Sequence, residues 1–570
     1  MSFRWIYSEL EQQNSIEELQ QQLGVPCEIA QLLALRDINT FSKAKTFFRP
    51  EIGHLHDPFL MKDMEEASLR LSKAVKDAEK VLVYGDYDVD GTTATASVLL
   101  FLRGFGLDVT YYIPHRFKEG YGISSGGITH AREIGADLIV SVDCGITAFE
   151  EAKQAREAGI DLIICDHHTA EDRIPEAVAV LDPKRPDCSY PFDGLSGAGV
   201  GYKLIEATVT KLGLSAEVAY QFLDLIAISI ASDIVPVIDE NRVMMRRGLH
   251  MINNCPRPGI KALLDLVNAT SGSVSTSTII YSIGPRINAA GRMGDAGTAV
   301  ELMISDNTEE SKKVAADLET INRKRRSTDQ KTLEEAQAML DDEGDMDDVS
   351  TLVLHDPDWH LGVIGIVASR LVDTFNRPVV MLSSVDGKVK GSARSVKGFN
   401  IYQALKKCED LLEQFGGHEY AAGLTMNQKN IAEFRERMND IACSALSGDD
   451  FKPALTIDSR IDLSEIDRKF WKLLSQFEPY GPGNLKPVFV SEDVQLSGVP
   501  SIVGKGHLKL KLRQNGSCTF DAIGFKMHNY MPLVRDSGSR RIDVAYVIEE
   551  NRWNNNRNLQ LRLEDIRVKN

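Results

Sequence analysis

From Lys80 to Pro183 the chain repeats one rhythm, in which a short apolar run alternates with a longer amphipathic stretch. The segments "VLVYGD", "DVTYYIP", "ADLIVSVD", "DLIICDHH" and "AVAVLDP" read as strands, and "TTATASVLLFLRGFG", "SSGGITHAREIG" and "TAFEEAKQAREAG" as the helices between them. Apolar runs without polar alternation are buried on both faces, and strands separated by helices are joined by crossovers. A parallel sheet covered by helices on both sides is therefore predicted. Such a sheet gathers ligands at the carboxyl ends of its strands, so the polar residues that follow the apolar runs are the first functional candidates.

Those residues are mostly acidic. "GDYDVDG" brings Asp86, Asp88 and Asp90, "LIVSVDCG" brings Asp143, and "LIICDHH" ends in Asp166, His167 and His168. Asp233 follows a further apolar run in "LDLIAISIASDIVP", inside a stretch over about 198–268 that reads as helical. Any one aspartate reads equally well as a helix cap. As a set, unpaired carboxylates repel and are costly to desolvate, which leaves full solvation, a shell of donors, or a cation. Asp86 to Gly91 matches the opening of an EF-hand calcium loop, but Ser97 stands where the bidentate glutamate belongs, and a strand rather than a helix precedes the motif. If the apolar runs are parallel strands, all these groups converge on one edge. Several carboxylates with a histidine are the donor set of two hard or borderline divalent cations, and the oxygen-rich mixture favours Mn²⁺ or Mg²⁺ over thiolate-bound zinc. Two such cations can activate water and stabilise charge at a phosphorus centre.

The remaining chain is organised around this segment. At 570 residues it exceeds one core, and the expected division is an N-terminal region over 1–70, a catalytic domain over 71–303, a connecting helix over 304–349, a second α/β domain over 350–450 and a β domain over 451–570. The run "SDNTEESKKVAADLETINRKRRSTDQKTLEEAQAML" predicts one long helix. Within it "NRKRRS" reads as a solvated face in preference to a contact with the DNA backbone, and "DDEGDMDD" after it as a solvated turn. "HLKLKLRQ" and "LQLRLEDIRV" predict a small antiparallel barrel or sandwich, with Phe520, Phe525 and Trp553 as candidate platforms for bases. No apolar run is long enough to span a bilayer, and "MSFRWIYSELEQQNSIEELQ" lacks the apolar core of a signal peptide, so a cytoplasmic protein is expected. The eight cysteines form no C-x-x-C pair and read as reduced, buried thiols. A net charge of −17 argues against a uniformly basic coat for nucleic acid but leaves room for a local basic groove.

In order, "DYDVDG", "VDCG", "CDHH" and "ASDIV" resemble the successive motifs of the DHH phosphoesterase superfamily. "HRFKEGYGIS", "GPRINAAGRM", "HLGVIGIVASR", "GSARS", "FGGHEYAAG" and "EPYGPGNLKPVF" extend the likeness over nearly the whole chain to the bacterial RecJ family of single-strand-specific exonucleases. The resemblance implies a multidomain α/β fold, with a parallel-sheet DHH domain joined by a long helix to a smaller α/β DHHA1 domain, and a C-terminal OB-fold β-barrel. It implies that Asp88 and Asp143 hold one cation while Asp90, Asp143, His167 and Asp233 hold the other. Some relatives carry a histidine where this chain has Tyr84, so Asp86 or water is expected to complete the first position. His168 is expected near the scissile phosphate, as a donor or proton shuttle or as a histidine that orients a ligand, and Asp166 beside it in an orienting role. Arg116, Arg286, Ser392, Arg394 and His418 match positions that grip substrate, a role suited to arginine's planar fork.

The implied activity is 5′→3′ hydrolysis of single-stranded DNA to mononucleotides in DNA repair and recombination, by a monomer associated with single-strand-binding protein and a RecQ-type helicase. An oligoribonuclease or cyclic-dinucleotide phosphodiesterase of the same superfamily is the alternative. An inorganic pyrophosphatase has no use for a strand-binding module, and a non-catalytic relict fits poorly with an intact set of aspartates. Loss of Asp90 or Asp143 is expected to abolish hydrolysis and leave the fold intact.

Overall fold

A computed structural model describes residues 3–9, 13–270, 272–343, 349–385, 387–536, 541–553 and 556–568. The acidic run 341–348 falls largely outside them, as does the Trp553 side chain. Two compact bodies are formed, one from Trp5–Gly291, Asp295–Ala316 and Thr456–Asn570, the other essentially from Asp317–Leu455.

In the first body the predicted rhythm appears as five parallel strands: β1 (Val81–Tyr84), β2 (Val109–Tyr112), β3 (Leu138–Val142), β4 (Asp161–Cys165) and β5 (Ala179–Leu181). They lie in the order β2-β1-β3-β4-β5, so the chain reverses direction of winding beside β1, the switch point at which sheets of this kind bind their ligands. Strands β1 and β3 are buried along their whole length, as their uninterrupted Val, Leu and Ile content requires. Helices Val89–Arg103 and Gly197–Lys211 pack on one side, and both are almost entirely buried. The run before Asp233 is helical, as the stretch around it reads, and not a further strand of the sheet. "LDLIAISIAS" is a buried helix, Leu223–Ser232, with Asp233 as its C-cap. A short apolar run bounded by turns has the same composition in either state, and only its packing decides.

The C-terminal strands β11 (Phe489–Leu496), β12 (Ser501–Val503), β13 (His507–Arg513), β14 (Phe520–Gly524), β15 (Ile542–Trp553) and β16 (Asn556–Val568) form the β domain, numbered after the five strands of the second body. Pairings run β11-β15-β16-β14-β13, and β13 pairs back onto β11, closing a five-stranded barrel with β12 on its flank. It is not wholly antiparallel. β14 and β16 are parallel neighbours, because the crossing segment with helix Met531–Asp536 carries the chain from β14 to β15, which β16 then follows as a hairpin, the arrangement of an OB-fold. Phe520 faces the barrel core and cannot offer a platform, whereas Phe525 is exposed.

The N-terminal helices Gln13–Leu23, Cys27–Ala34 and Phe41–Phe48 join that C-terminal domain: Leu19, Ile29, Leu32, Leu33 and Phe47 share one core with Phe470, Phe477, Phe489 and Tyr546. The junction is fixed by Arg242, on helix Asp239–Asn254. Its Nε donates to the Phe47 carbonyl, Nη1 to those of Phe477 and Pro479, and Nη2 to those of Gln476 and Glu478. All five donors of one buried guanidinium are used. The group also lies over the Phe47 ring at 3.8 Å.

The second body carries a mixed sheet of β6 (Leu352–His355), β7 (Val379–Val385), β8 (Lys388–Arg394), β9 (Leu412–Gly417) and β10 (Ala421–Met426) in the order β9-β10-β8-β7-β6, with only β6 and β7 parallel. The long helix spans Thr308–Glu343, and its Leu333, Ala336 and Leu340 pack against Leu352, Leu354 and Trp359. "NRKRRS" is only partly a solvated face. Asn322 and Arg325 are buried and hydrogen-bonded to each other at 2.7 Å, while Arg323, Lys324 and Arg326 are exposed. Of the eight free cysteines, Cys144, Cys165 and Cys408 are buried, but Cys255, Cys443 and Cys518 are exposed. Apolar sequence neighbours did not place those three on an inward face. No described helix is long and apolar enough to cross a membrane.

Candidate metal centre

Asp88 caps helix Val89–Arg103, accepting from Gly91 N at 3.0 Å, and Asp90 sits in the first turn. Asp143 follows β3 with φ 62°, a left-handed conformation that aspartate tolerates better than most residues. Its side chain is approached so closely by Gly197 that a Cβ there would lie 2.5 Å from Asp143 Oδ1. Only glycine fits. Asp86, Asp90, Asp143, Asp166 and His167 are all buried, and Asp88 partly so.

The donors gather into small groups. Ligand atoms of Asp86, Asp88 and Asp143 lie within 4.8 Å of one another, as do those of Asp90, His167 and Asp233, and those of Asp143, His167 and His168. His167 Nε2 stands 3.2 Å from Asp143 Oδ1, 3.6 Å from Asp233 Oδ2 and 3.7 Å from Asp90 Oδ2. Its Nδ1 lies 3.0 Å from the Leu195 carbonyl. A carbonyl only accepts, so Nδ1 carries the proton, and burial keeps the ring neutral by lowering its pKa. The Nε2 lone pair therefore faces three carboxylates. Asp86 Oδ1, Asp143 Oδ1 and His167 Nε2 are buried and make no hydrogen bond among the described residues. Burial, then the neighbouring Asp90, Asp88, Asp86 and Asp233, raises the Asp143 pKa well above the ordinary range. Burial, then Asp88, does the same to Asp86, and burial, then Asp90, lifts Asp233 to about 8. Oxygen donors converging with one oriented imidazole nitrogen fit hard divalent cations, and a cation relieves the repulsion that these shifts express.

Two members behave differently. Asp90 is satisfied, accepting from Gly197 N at 2.7 Å, Ala198 N at 2.8 Å and Ser229 Oγ at 2.7 Å. Asp166 accepts from Ile146 N at 2.8 Å, His167 N at 2.7 Å and His168 Nδ1 at 2.7 Å. Although burial alone would raise its pKa, the hydrogen bond and charge of His168 lower it. In return, Asp166 outweighs the burial of His168 and lifts that imidazole to about 9. Asp166 thus holds His168 as a cation at the rim of the cluster.

Sequence reasoning missed Tyr121, Ser229 and Asp182. Tyr121 Oη lies 2.9 Å from His168 Nδ1 and 3.2 Å from the Asp143 carbonyl, and its only sequence signal is its place in "HRFKEGYGIS". Ser229 stands one helical turn before Asp233, a spacing that was available to read. Asp182, after β5, has its carboxyl pushed up to about 7 by burial.

The substrate-grip candidates fall in both bodies. Arg116 lies over the Tyr87 ring at 4.7 Å, and its charge reaches Asp86. Arg286 is buried and donates to the Ser282 carbonyl at 2.6 Å. In the other body Ser392 and Arg394 lie on β8, opposite Gly423 and Ala421, and Arg394 Nη1 donates to Ser392 Oγ at 3.1 Å. His418 is exposed at the turn before β10, where its N–H donates to the Ala421 carbonyl. The structure thus brings Ser392, Arg394 and His418 to one end of the second sheet.

A doubly wound sheet with this cluster at its switch point defines the class, and the sequence agrees. Residues 80–230 match the DHH family N-terminal domain, 348–443 the DHHA1 domain, and 457–565 the RecJ OB domain. The single-stranded-DNA-specific exonuclease RecJ of Bacillus subtilis (strain 168) is 36% identical over 559 residues, covering 98% of this chain and 70% of that protein. The crystal structure of RecJ with Mn²⁺ from Thermus thermophilus superposes with a TM-score of 0.84 at 27% identity, covering 100% of this chain and 80% of that one. The Mg²⁺ complex of the same protein gives 0.79 at 26% identity, with 100% and 79% covered. The chain belongs to the RecJ family.

Proposed function

We propose that the chain is a 5′→3′ exonuclease that hydrolyses single-stranded DNA to mononucleotides with two divalent cations. The carrying observation is the bare His167 Nε2 among three carboxylates, beside an Asp143 oxygen with no partner among the described residues. Asp86, Asp88 and Asp143 would hold one cation, and Asp90, Asp143, His167 and Asp233 the other, with Asp143 shared. Bound there, Mn²⁺ or Mg²⁺ supplies a nucleophile at neutral pH and neutralises charge on the phosphate. The B. subtilis relative is named for single-stranded DNA, and the T. thermophilus relative was crystallised with either ion.

The chain's own groups do the rest. His168, kept protonated by Asp166, offers a charged N–H to a nonbridging phosphate oxygen, and Tyr121 restricts its ring. Arg116 and Arg286 in one body, and Ser392, Arg394 and His418 in the other, are assigned to phosphate and nucleotide contacts. A terminal 5′ phosphate carries more charge than an internal diester, so an arginine pocket distinguishes a strand's end. On the barrel, Lys509, Lys511 and Arg513 alternate with the buried Leu508, Leu510 and Leu512, giving β13 a basic outer row. Phe525, at 5.1 Å from the His507 ring, supplies an aromatic face at its end. This fits strand tracking with base stacking. A monomeric, cytoplasmic state and association with single-strand-binding protein and a RecQ-type helicase belong to the same reading and rest on the family alone.

Digestion of end-labelled single-stranded DNA with Mn²⁺, Mg²⁺ or chelator tests it. Metal-dependent release of a 5′ label at the earliest times is expected. Release beginning at the 3′ end would overturn the direction, and undiminished release in chelator would overturn the metal site.

A further inference from the structure

Two loops steady two of the ligands assigned above to the second cation, His167 and Asp233. His167, just after β4, is oriented by the Leu195 carbonyl, and the first turn of helix Gly197–Lys211, which follows that loop, supplies the N–H groups of Gly197 and Ala198 to Asp90. Asp233 leads into the other loop, Ile234–Ile238. There Ile234 adopts φ 61°, strained for a β-branched residue and maintained only if its surroundings over-determine it.

The surroundings are two. Asn241, fully buried, donates from Nδ2 to the Gly194 carbonyl at 2.6 Å and to the Pro236 carbonyl at 2.9 Å. Two carbonyl partners fix the amide's orientation. One side chain thereby fastens the loop that orients His167 to the loop that follows Asp233. From the opposite side, the "PYGPGN" turn of the C-terminal region docks onto the same loop, with Val237 N donating to the Pro482 carbonyl at 2.7 Å. A Cβ on Gly481 would lie 2.3 Å from Val237 Cγ2, and one on Gly483 would lie 3.0 Å from Ile238 Cγ2. The turn is itself rigid. Asn484 Nδ2 donates to the Phe477 and Pro479 carbonyls, and Arg36 Nε holds Asn484 Oδ1 at 2.7 Å. Arg242 holds the carbonyls of residues 476–479, two of which it shares with Asn484. Tyr480 packs on the barrel core.

We propose that Asn241 and the Gly481–Gly483 turn are positioning elements for one of the two cations, holding the loop that orients His167 and the loop that follows Asp233. The inference rests on the ligand assignment made under the proposed function. It gives "EPYGPGNLKPVF" a role, since the barrel's lead-in segment braces the metal centre. Outer supports of this kind tune metal affinity without touching the ion.

Mn²⁺ binding to the metal-free full chain, read by electron paramagnetic resonance of the free ion, separates the possibilities. Wild type is expected to take up two ions. Asn241→Ala and Gly481→Ala should each keep one ion at wild-type affinity and weaken the other about tenfold or more. Val237→Ala added to Gly481→Ala removes the Cγ2 in the way and should restore most of the loss, which general destabilisation would not allow. Binding of both ions at wild-type affinity by the folded single variants would overturn the proposal. Fewer than two ions on wild type would instead overturn the ligand assignment. In the unaltered chain, Mn²⁺ should slow hydrogen exchange of the Val237 amide, since a brace that favours the ion is favoured by it. An exchange rate indifferent to Mn²⁺ would contradict the brace even if neither variant folds.

Discussion

Arg242 and the carboxylate cluster are both buried charge in the first body, and their hydrogen bonding sets them apart. Arg242 carries a positive charge into the junction of N-terminal helices and barrel, where five carbonyls take its five donors and an aromatic ring covers its face. The carboxylate cluster carries several negative charges to the sheet edge, and buried oxygens of Asp86 and Asp143 find no donor among the described residues. Burial is common to both. A satisfied charge stabilises the fold that surrounds it, whereas an unsatisfied set of like charges is costly in the absence of a counter-ion. The difference identifies the first as architecture and the second as a site.

The largest expected effect falls on the unsatisfied side. Asp143→Asn should lower kcat/KM on single-stranded DNA by roughly 100-fold or more, because ligands of both cations are disturbed. Its metal-free Tm should hold or rise, because one of several repelling charges is gone. A fall in Tm comparable with that of a core mutation would break the contrast. Arg242→Met is the converse. It leaves the Phe47, Gln476 and Glu478 carbonyls without that donor, those of Phe477 and Pro479 keeping Asn484, and should cost about 3 kcal/mol or more of stability in denaturant melts, while Mn²⁺ uptake by the folded fraction changes less.

Asp90 sharpens the comparison because it belongs to both kinds. As a ligand its loss should abolish activity, but its carboxylate also accepts from Gly197 N, Ala198 N and Ser229 Oγ. Asp90→Ala should therefore lose about 1–3 kcal/mol of stability as well, against the sequence-based expectation of an intact fold. Equal metal-free melting of Asp90→Ala and wild type would show those three donors to be dispensable.

The smallest effect is in pH. Asp233 is raised to about 8, mainly by burial, and His168 to about 9, where Asp166 outweighs burial. Both groups hold a proton in the folded state that the unfolded chain releases at lower pH. Their contributions therefore share a sign: metal-free stability should fall as pH rises from about 6 to 9. Mn²⁺ should flatten that dependence and release protons on binding near pH 7, measurable by calorimetry in buffers of different ionisation enthalpy. Metal-free stability that climbs across this range would contradict the shifts.

How far each group was legible follows from the same physics. Strands buried on both faces write their burial into uninterrupted apolar runs, so β1, β3 and β4 and the acids that follow them were readable. Asp233 was readable as a candidate in a helical stretch, but not the packing that brings that helix's end to His167, because such packing leaves no local mark. The C-terminal barrel was readable from alternation, but not the inward turn of Phe520 or the parallel pairing of β14 with β16. Arg242 was hidden. "NRVMMRRGLH" contains three arginines on one helix, and which one turns inward depends on carbonyls supplied by Phe47 and by residues 476–479. Long-range partners of that kind leave no local mark.

The central claim is that the carboxylate–histidine cluster holds two divalent cations that share Asp143. Crystals of the full chain grown with Mn²⁺, and anomalous scattering recorded at the manganese edge, test it most directly. Two peaks are expected, both in coordination distance of Asp143, one ringed by Asp86 and Asp88 and the other by Asp90, His167 and Asp233. Saturating Mn²⁺ that leaves no peak beside Asp143, or only one ion without His167 among its ligands, would contradict the account.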